Sequence, residues 1–243
     1  MIDQAASSSL EQAPIASRRH SLIFLAIVLA VVLAGFAAQH RATSGDGLAS
    51  SHEGMIPLYL SAIFMNGMLA YFVWTGVRKQ GGSLFDLIGG RWSGWRDVGR
   101  DITLAALFWV VLLAAGRGAS WMLGQSHAKT LDILLPQGAL EVLAWIATSA
   151  MAGFSEELVF RGYVQRQILA LSGSAWAAVV GQGVLFGLMH AYQGWKAVIA
   201  ISLIGVLFGG LAQWRRTLRV GMLAHAWTDI WAGWLSRACG ARF

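Results

Sequence analysis

The chain has 243 residues, of which 56% are hydrophobic and only 12% are charged. Because a soluble globular domain carries roughly 25% charged residues, this composition excludes an ordinary soluble protein and predicts a single integral membrane domain. The net charge of +6 is carried by short loops and not by one basic face, so it indicates membrane topology and gives no support for nucleic-acid binding. The one cysteine, Cys239, excludes an intramolecular disulfide and a multi-cysteine metal site.

Seven apolar segments follow a tail at residues 1–17, which is rich in Ser, Ala and Gln and is predicted to be disordered. Each segment is long enough to cross about 30 Å of hydrocarbon as a helix. They lie near 21–39, 56–77, 101–122, 139–160, 174–193, 197–213 and 220–236. The predicted fold is all-α: a transmembrane helical bundle at 18–243 with about seven spans, eight being the alternative.

Basic residues are unevenly divided between the two sets of loops. Twelve of the eighteen Lys and Arg residues lie in alternate loops, beginning with Arg18 and Arg19. Because cytoplasmic loops carry an excess of basic residues, this predicts a cytoplasmic N-terminus in a multi-pass protein of the cell (inner or plasma) membrane. The Gly-rich loop 78–100 places Trp92 and Trp95 beside arginines and is predicted to lie at the cytoplasmic headgroup layer.

The run 152–161 at the end of the fourth apolar segment contains three ionisable residues, each of which would cost about 2.5 to 3.5 kcal/mol at mid-bilayer. Glu157 and Arg161 stand at i and i+4, a spacing that predicts an ion pair with a structural role. Glu156 points about 140° away from Arg161 on an α-helix, at 100° per residue. The spacing therefore leaves Glu156 free to act as a base.

The next segment carries Phe186 and His190 on one helical face. If the fourth helix continues to a reversal at 172–174, Glu156 lies seventeen residues before Gly173 and His190 seventeen residues after it. At about 1.5 Å per residue, an antiparallel hairpin brings the two side chains to the same depth. The last segment adds His225 and Asp229, again at i and i+4, and the core that bears all these motifs is 139–236.

These motifs together resemble the three ordered motifs of the CAAX-protease and bacteriocin-processing (CPBP, or Abi) family of intramembrane glutamic proteases. The motifs are Glu156-Glu157 with Arg161, Phe186 with His190, and His225 with Asp229. The resemblance covers residues 150–230 and implies an intramembrane peptidase, a hydrolase. It implies that Glu156 and His190 activate a water molecule, that His225 and Asp229 stabilise the oxyanion, and that no cofactor is needed.

Asp229 departs from the family pattern, which more often has Asn at this position. An ionised carboxylate cannot donate a hydrogen bond to an oxyanion. We therefore predict that Asp229 is either protonated or orients and charges His225, as the Asp of a Ser-His-Asp triad does. Retained activity in Asp229→Asn together with its loss in Asp229→Ala would argue against the orienting carboxylate.

Three alternatives stay open at this stage. A zinc-dependent protease could use Glu156, His190 and His225 as ligands, although the usual His-Glu-x-x-His helix is missing from the sequence. Intramembrane Glu, His and Asp could also form the relay of a proton-coupled transporter. A non-catalytic immunity factor or scaffold is the third. The expected partners are the lipid bilayer and a membrane-associated protein or peptide substrate, with or without a lipid group.

Overall fold

A computed structural model describes residues 14–43, 55–124 and 135–239, and within these ranges it contains helices and no strand. The helices are α1 Arg18–Thr43, α2 Met55–Lys79, α3 Leu84–Ile88, α4 Trp95–Leu123, α5 Ala139–Ser172, α6 Ala175–Leu188, α7 Trp195–Arg215 and α8 Arg219–Cys239. A short 3-10 turn, Ala191–Gln193, joins α6 to α7. The predicted all-α class is confirmed over these ranges.

Helices occupy all seven positions at which the sequence predicts a span. Five of them, α1, α2, α4, α5 and α7, are long and apolar enough to cross a membrane by length and composition. Helix α6 has only 14 residues, and α8 is not among the five. The protein is an integral membrane protein, while the count of seven spans and the cytoplasmic N-terminus stay predictions.

The helical hairpin expected near Gly173 is present. Helix α5 runs for 34 residues to Ser172, past the predicted span end at residue 160. Gly173 then adopts a left-handed conformation with φ of 67°, and its N–H donates to the carbonyl of Leu169. Ser174 caps α6 by accepting a hydrogen bond from the N–H of Ala177. Glycine suits this reversal because it has no Cβ to strain the left-handed backbone.

The middle of α5, Glu157–Gln165, is wound as a π-helix and not as the regular α-helix that the sequence prediction assumed. All nine of its residues are buried. In a π-helix each N–H bonds to a carbonyl five residues back, so consecutive side chains are separated by a smaller angle than in an α-helix. Such segments are rare in proteins, and those that occur often lie at functional sites. Here the segment begins at the second of the two glutamates.

Helices α6 and α7 approach each other at small residues. A Cβ added to Gly183 would lie 2.8 Å from the backbone nitrogen of Val206, and one added to Gly205 would lie 2.9 Å from the Cα of Gly183. The same holds between α5 and α8, where a Cβ on Gly153 would lie 2.9 Å from the Cβ of Ala226. Small residues at these crossings let the backbones approach closely, which brings the motif-bearing helices together.

The loop at 78–100 is docked against the bundle through α3. Leu87 is buried among core residues, and the carbonyl of Ile88 accepts hydrogen bonds from the Leu218 N–H at 2.9 Å and the Thr217 hydroxyl at 2.8 Å. Arg166 of α5 donates to the carbonyls of Asp86 and Leu87, both at 3.0 Å. The sequence predicted a loop at the headgroup layer but did not predict these contacts. They hold the turn between α7 and α8 in place.

A buried aspartate holds the same end of the bundle together. The Asp101 side chain is fully buried and accepts hydrogen bonds from Trp92 Nε1 at 2.9 Å and Arg219 Nε at 3.0 Å. Arg215 and Arg100 pair with its second oxygen at 3.3 and 3.5 Å. One carboxylate therefore connects α4, the loop before it and the start of α8, the helix that carries His225.

A pair of glycines at the end of α3 gives a matched stability test. Gly89 and Gly90 both have positive φ, 92° and 81°, so alanine at either should cost about 1–2 kcal/mol. A Cβ on Gly89 would also lie 2.7 Å from the carbonyl oxygen of Arg216, whereas one on Gly90 meets nothing within 4 Å. We expect Gly89→Ala to destabilise the protein by about 1–3 kcal/mol more than Gly90→Ala, measured by denaturant unfolding in detergent micelles. Equal losses would contradict the docking of α3.

Part of the segment predicted to be a disordered tail packs against α5. Ala16 is 1% exposed, and the Gln167 side chain hydrogen-bonds to its backbone N–H and carbonyl. The rest of that prediction, residues 1–13, lies outside the described residues.

Candidate active site

His225 is the centre of the candidate site. Its Nδ1 lies 3.1 Å from Glu157 Oε1, and its Nε2 lies 3.7 Å from both Glu156 Oε2 and Asp229 Oδ2. A carboxylate accepts, so Nδ1 carries the proton that it donates to Glu157. The opposite nitrogen, Nε2, then faces the two other carboxylates and is the atom available for chemistry.

Glu157 connects His225 to a buried arginine. Arg161 Nη1 donates to the same Oε1 of Glu157 at 2.8 Å, which is the i, i+4 pair predicted from the sequence. The guanidinium lies between two aromatic rings, 4.4 Å from the centroid of Phe186 and 4.9 Å from that of Phe208. Its Nη2 donates to the carbonyl of Gly205 at 3.3 Å. The pair therefore holds the acceptor of the His225 Nδ1 proton in one position.

Phe186 is shared by the two histidines. Its ring packs against His190 at 4.9 Å and against His225 at 5.9 Å between centroids, both edge-on. His190 Nδ1 lies 2.8 Å from the carbonyl of Phe186. Because a carbonyl can only accept, that nitrogen is protonated, and the Nε2 of the neutral ring keeps a lone pair that can accept a proton. Phe186 was predicted as a supporting residue. Its carbonyl sets the tautomer of His190, and its ring packs against the rings of both histidines.

Glu156 and Asp229 lie on the accessible side of the site. The Glu156 side chain is 21% exposed and that of Asp229 is 36% exposed, whereas that of Glu157 is 1% exposed. Trp145 Nε1 donates to the backbone carbonyl of Asp229 at 2.8 Å, which fixes α8 against α5 at this level. The structure places Glu157, and not Asp229, at Nδ1 of His225. The orienting position that the sequence analysis considered for Asp229 is thus occupied by Glu157.

Tyr192 is a neighbour of the site that the sequence analysis missed. It lies in the 3-10 turn after α6, where its ring stacks on His190 with 6.1 Å between centroids. Gln193 Nε2 donates a hydrogen bond to the Tyr192 hydroxyl at 2.9 Å, which leaves the hydroxyl proton available for donation to another group. The position of Tyr192 two residues after His190 was the available signal.

Metal binding was predicted only as an alternative, with Glu156, His190 and His225 as ligands. Over residues 14–43, 55–124 and 135–239, no group of three or more His, Cys, Asp or Glu side chains has an arrangement suited to a metal ion. Both histidines pack against the Phe186 ring, and the contacts that orient them are a backbone carbonyl and a carboxylate.

Comparison with known proteins found a family match in the part of the chain that carries these residues. Residues 138–231 match the family model described as type II CAAX prenyl endopeptidase Rce1-like. The match begins just before α5 and ends in α8, so it contains all the residues predicted for the site. No curated protein and no solved structure shows a significant match to the chain. The predicted resemblance is confirmed over residues 138–231, which are similar to the CAAX-type membrane proteases, a family of hydrolases.

Proposed function

We propose that this protein is an intramembrane endopeptidase in which Glu156 and His190 activate a water molecule to hydrolyse a peptide bond. Glu156 takes a proton from the water, whose oxygen adds to the carbonyl carbon. The proton then passes to the leaving amine as the carbon–nitrogen bond breaks. The observation that carries the proposal is the His225 imidazole, which has Glu157 at one nitrogen and Glu156 and Asp229 at the other.

In this proposal His225 and Asp229 stabilise the oxyanion. The Nδ1 proton of His225 is already donated to Glu157. A hydrogen bond to the negative charge that develops on the oxyanion must therefore come from a proton on Nε2. Such a donor contributes more inside a protein than in water, since the surroundings are less polar. Glu157 then has a positioning role comparable to that of the triad aspartate, acting through the imidazole and not on the substrate.

The proposed role of Asp229 can be tested by substitution. Since Glu157 already holds Nδ1, we expect Asp229→Asn to retain the activity of the wild type within about tenfold, because an amide can also donate to the oxyanion. Asp229→Ala removes the side chain and should lower kcat by about 10²–10³-fold. Both are measured with purified protein and a membrane peptide substrate. Equal, large losses in Asp229→Asn and Asp229→Ala would show that the negative charge itself is required.

The proposed substrate is a membrane-associated protein or peptide, such as a C-terminal tail or a segment close to the bilayer. Comparing the membrane proteomes of cells that carry wild-type protein or Glu156→Gln tests the proposal. We expect precursor proteins to accumulate only with the variant and to be shortened by wild-type protein. Identical proteomes would argue for a scaffold or immunity function.

The proposed chemistry uses no metal. We therefore expect peptide hydrolysis to survive prolonged treatment with a strong chelator, with less than one metal ion per chain by elemental analysis. Loss of activity on chelation and its recovery with Zn²⁺ would favour the zinc-dependent alternative, in which the metal activates the water.

A further inference from the structure

A column of glutamine side chains lies between α5, α6 and α7. It consists of Gln165, Gln182 and Gln213, and we call it the glutamine column. Gln165 is 3% exposed and Gln182 is fully buried, whereas Gln213 is exposed near the end of α7. Buried glutamines in an apolar bundle carry a large desolvation cost unless their polar atoms are bonded. Each donor and acceptor in the column is therefore expected to have a hydrogen-bond partner.

The glutamines of the column are hydrogen-bonded to backbone carbonyls of α7 between the exposed end of that helix and the candidate site. Gln165 Nε2 donates to the side-chain oxygen of Gln213 at 3.3 Å and to the carbonyl of Gly209 at 3.0 Å. One turn further along α7, Gln182 Nε2 donates to the carbonyl of Gly205 at 2.7 Å. That same carbonyl accepts from Arg161 Nη2. Arg161 in turn is paired with Glu157, which holds His225.

Three polar atoms along this line have no hydrogen-bond partner among the described residues. They are the side-chain oxygens of Gln165 and Gln182 and the Nε of Arg161, all buried. The amide orientations are fixed, because the carbonyls of Gly209 and Gly205 can only accept and so must face the nitrogens. Two acceptors and one donor are thus left, and a water molecule, with two donors and two acceptors, can satisfy both kinds.

We propose that the glutamine column binds a chain of internal water molecules that connects the exposed end at Gln213 with Arg161. Water would occupy the space at the orphaned oxygens of Gln165 and Gln182 and at Arg161 Nε. The chain would supply water and carry protons to a site that consumes one water for each peptide bond cut. This supply role rests on the proposed hydrolysis, whereas the binding of water does not.

Two adjacent glycines allow a matched perturbation. A Cβ on Gly209 would overlap the Gln182 amide nitrogen and lie 3.0 Å from the orphaned oxygen of Gln165. A Cβ on Gly210 meets nothing within 4 Å. Gly209→Ala therefore displaces the Gln182 amide and crowds the orphaned oxygen of Gln165, while Gly210→Ala makes the same chemical change on another face of α7. Gln182→Met, which removes an orphaned acceptor at similar volume, is the second variant in case Gly209→Ala does not fold.

The experiment is X-ray radiolytic hydroxyl labelling of the full-length chain in phospholipid vesicles, without substrate. Radicals formed from bound water label nearby rings, and Phe208, which packs over Arg161, is only 2% exposed. Phe24 is equally buried in the apolar core and is the internal control. We expect Phe208 to be labelled well above Phe24, labelling to fall to the Phe24 level in Gly209→Ala and Gln182→Met, and Gly210→Ala to match the wild type.

Labelling of Phe208 no higher than that of Phe24 in the wild type would overturn the bound water. Equal labelling in Gly209→Ala and Gly210→Ala would overturn its location at the column. The supply role is read from kcat: Gly209→Ala should lower it with KM unchanged, and an unchanged kcat with lost labelling would overturn that role. If Phe208 of the wild-type protein is labelled as expected but the protein cleaves no peptide, the proposed hydrolysis is contradicted and the proposed water site is still supported.

Discussion

Glu156→Gln is expected to lower kcat for peptide hydrolysis by about 10²–10⁴-fold, the contribution typical of general acid–base catalysis. Glutamine keeps the size and shape of the side chain but cannot take a proton from water. The Glu156 carboxylate lies 3.7 Å from His225 Nε2 on the accessible side of the site, so the loss should appear in kcat more than in KM. The measurement is steady-state hydrolysis of a fluorogenic membrane peptide by purified protein in vesicles.

The control for this prediction is the stability of the folded variant, measured by denaturant unfolding. The Glu156 side chain is 21% exposed and is not part of the Glu157–Arg161 ion pair, so Glu156→Gln should unfold at the same denaturant concentration as the wild type. A variant that folds normally and still hydrolyses the peptide at the wild-type rate would rule out Glu156 as the base.

Glu157→Ala is expected to destabilise the protein by about 3–5 kcal/mol, which is the cost of leaving one partner of a buried ion pair uncompensated. Arg161 would stay buried between Phe186 and Phe208 without the carboxylate that it pairs with at 2.8 Å. The same change removes the acceptor of the His225 Nδ1 proton. Unfolding by denaturant in mixed micelles, followed by tryptophan fluorescence, gives the free energy difference.

The neighbouring substitution Glu156→Ala provides the matched control, because it removes a carboxylate of the same kind from the adjacent position. We expect it to abolish activity with a far smaller loss of stability. If the two alanine variants had equal stability, the assignment of Glu157 as the structural and orienting carboxylate would be wrong. A double variant, Glu157→Gln with Arg161→Gln, should recover stability by removing both charges, without recovering full activity.

The sequence predicted the helices and the motif order well, because both depend on local patterns. Apolar length defined the helical segments, and Ser172-Gly173-Ser174 marked the reversal that the structure contains. The i, i+4 spacing predicted the pair between Glu157 and Arg161. Each of these properties is determined by residues close together in the chain.

The contacts that the sequence did not predict join distant parts of the chain. Glu157 and His225 are 68 residues apart, and no local pattern indicates that one carboxylate serves both an arginine and a histidine. Asp101, which binds three arginines, looked like the first residue of a span. The docking of α3 likewise depends on the Thr217 hydroxyl and the Leu218 backbone N–H, which donate to the carbonyl of Ile88 and which hydropathy does not describe.

The π-helical winding that starts at Glu157 has a consequence for how this site could arise and be lost. On a regular α-helix two consecutive residues are 100° apart, and their side chains diverge. The two glutamates stand where the α-helical part of α5 meets its π-helical part, and their diverging carboxylates lie at the two opposite nitrogens of the His225 imidazole. We expect deletion of one residue within 162–165 to shorten the π-helical segment and to rotate the part of the helix before it against the part after it. Both carboxylates would then move relative to His225, although no side chain of the site is removed.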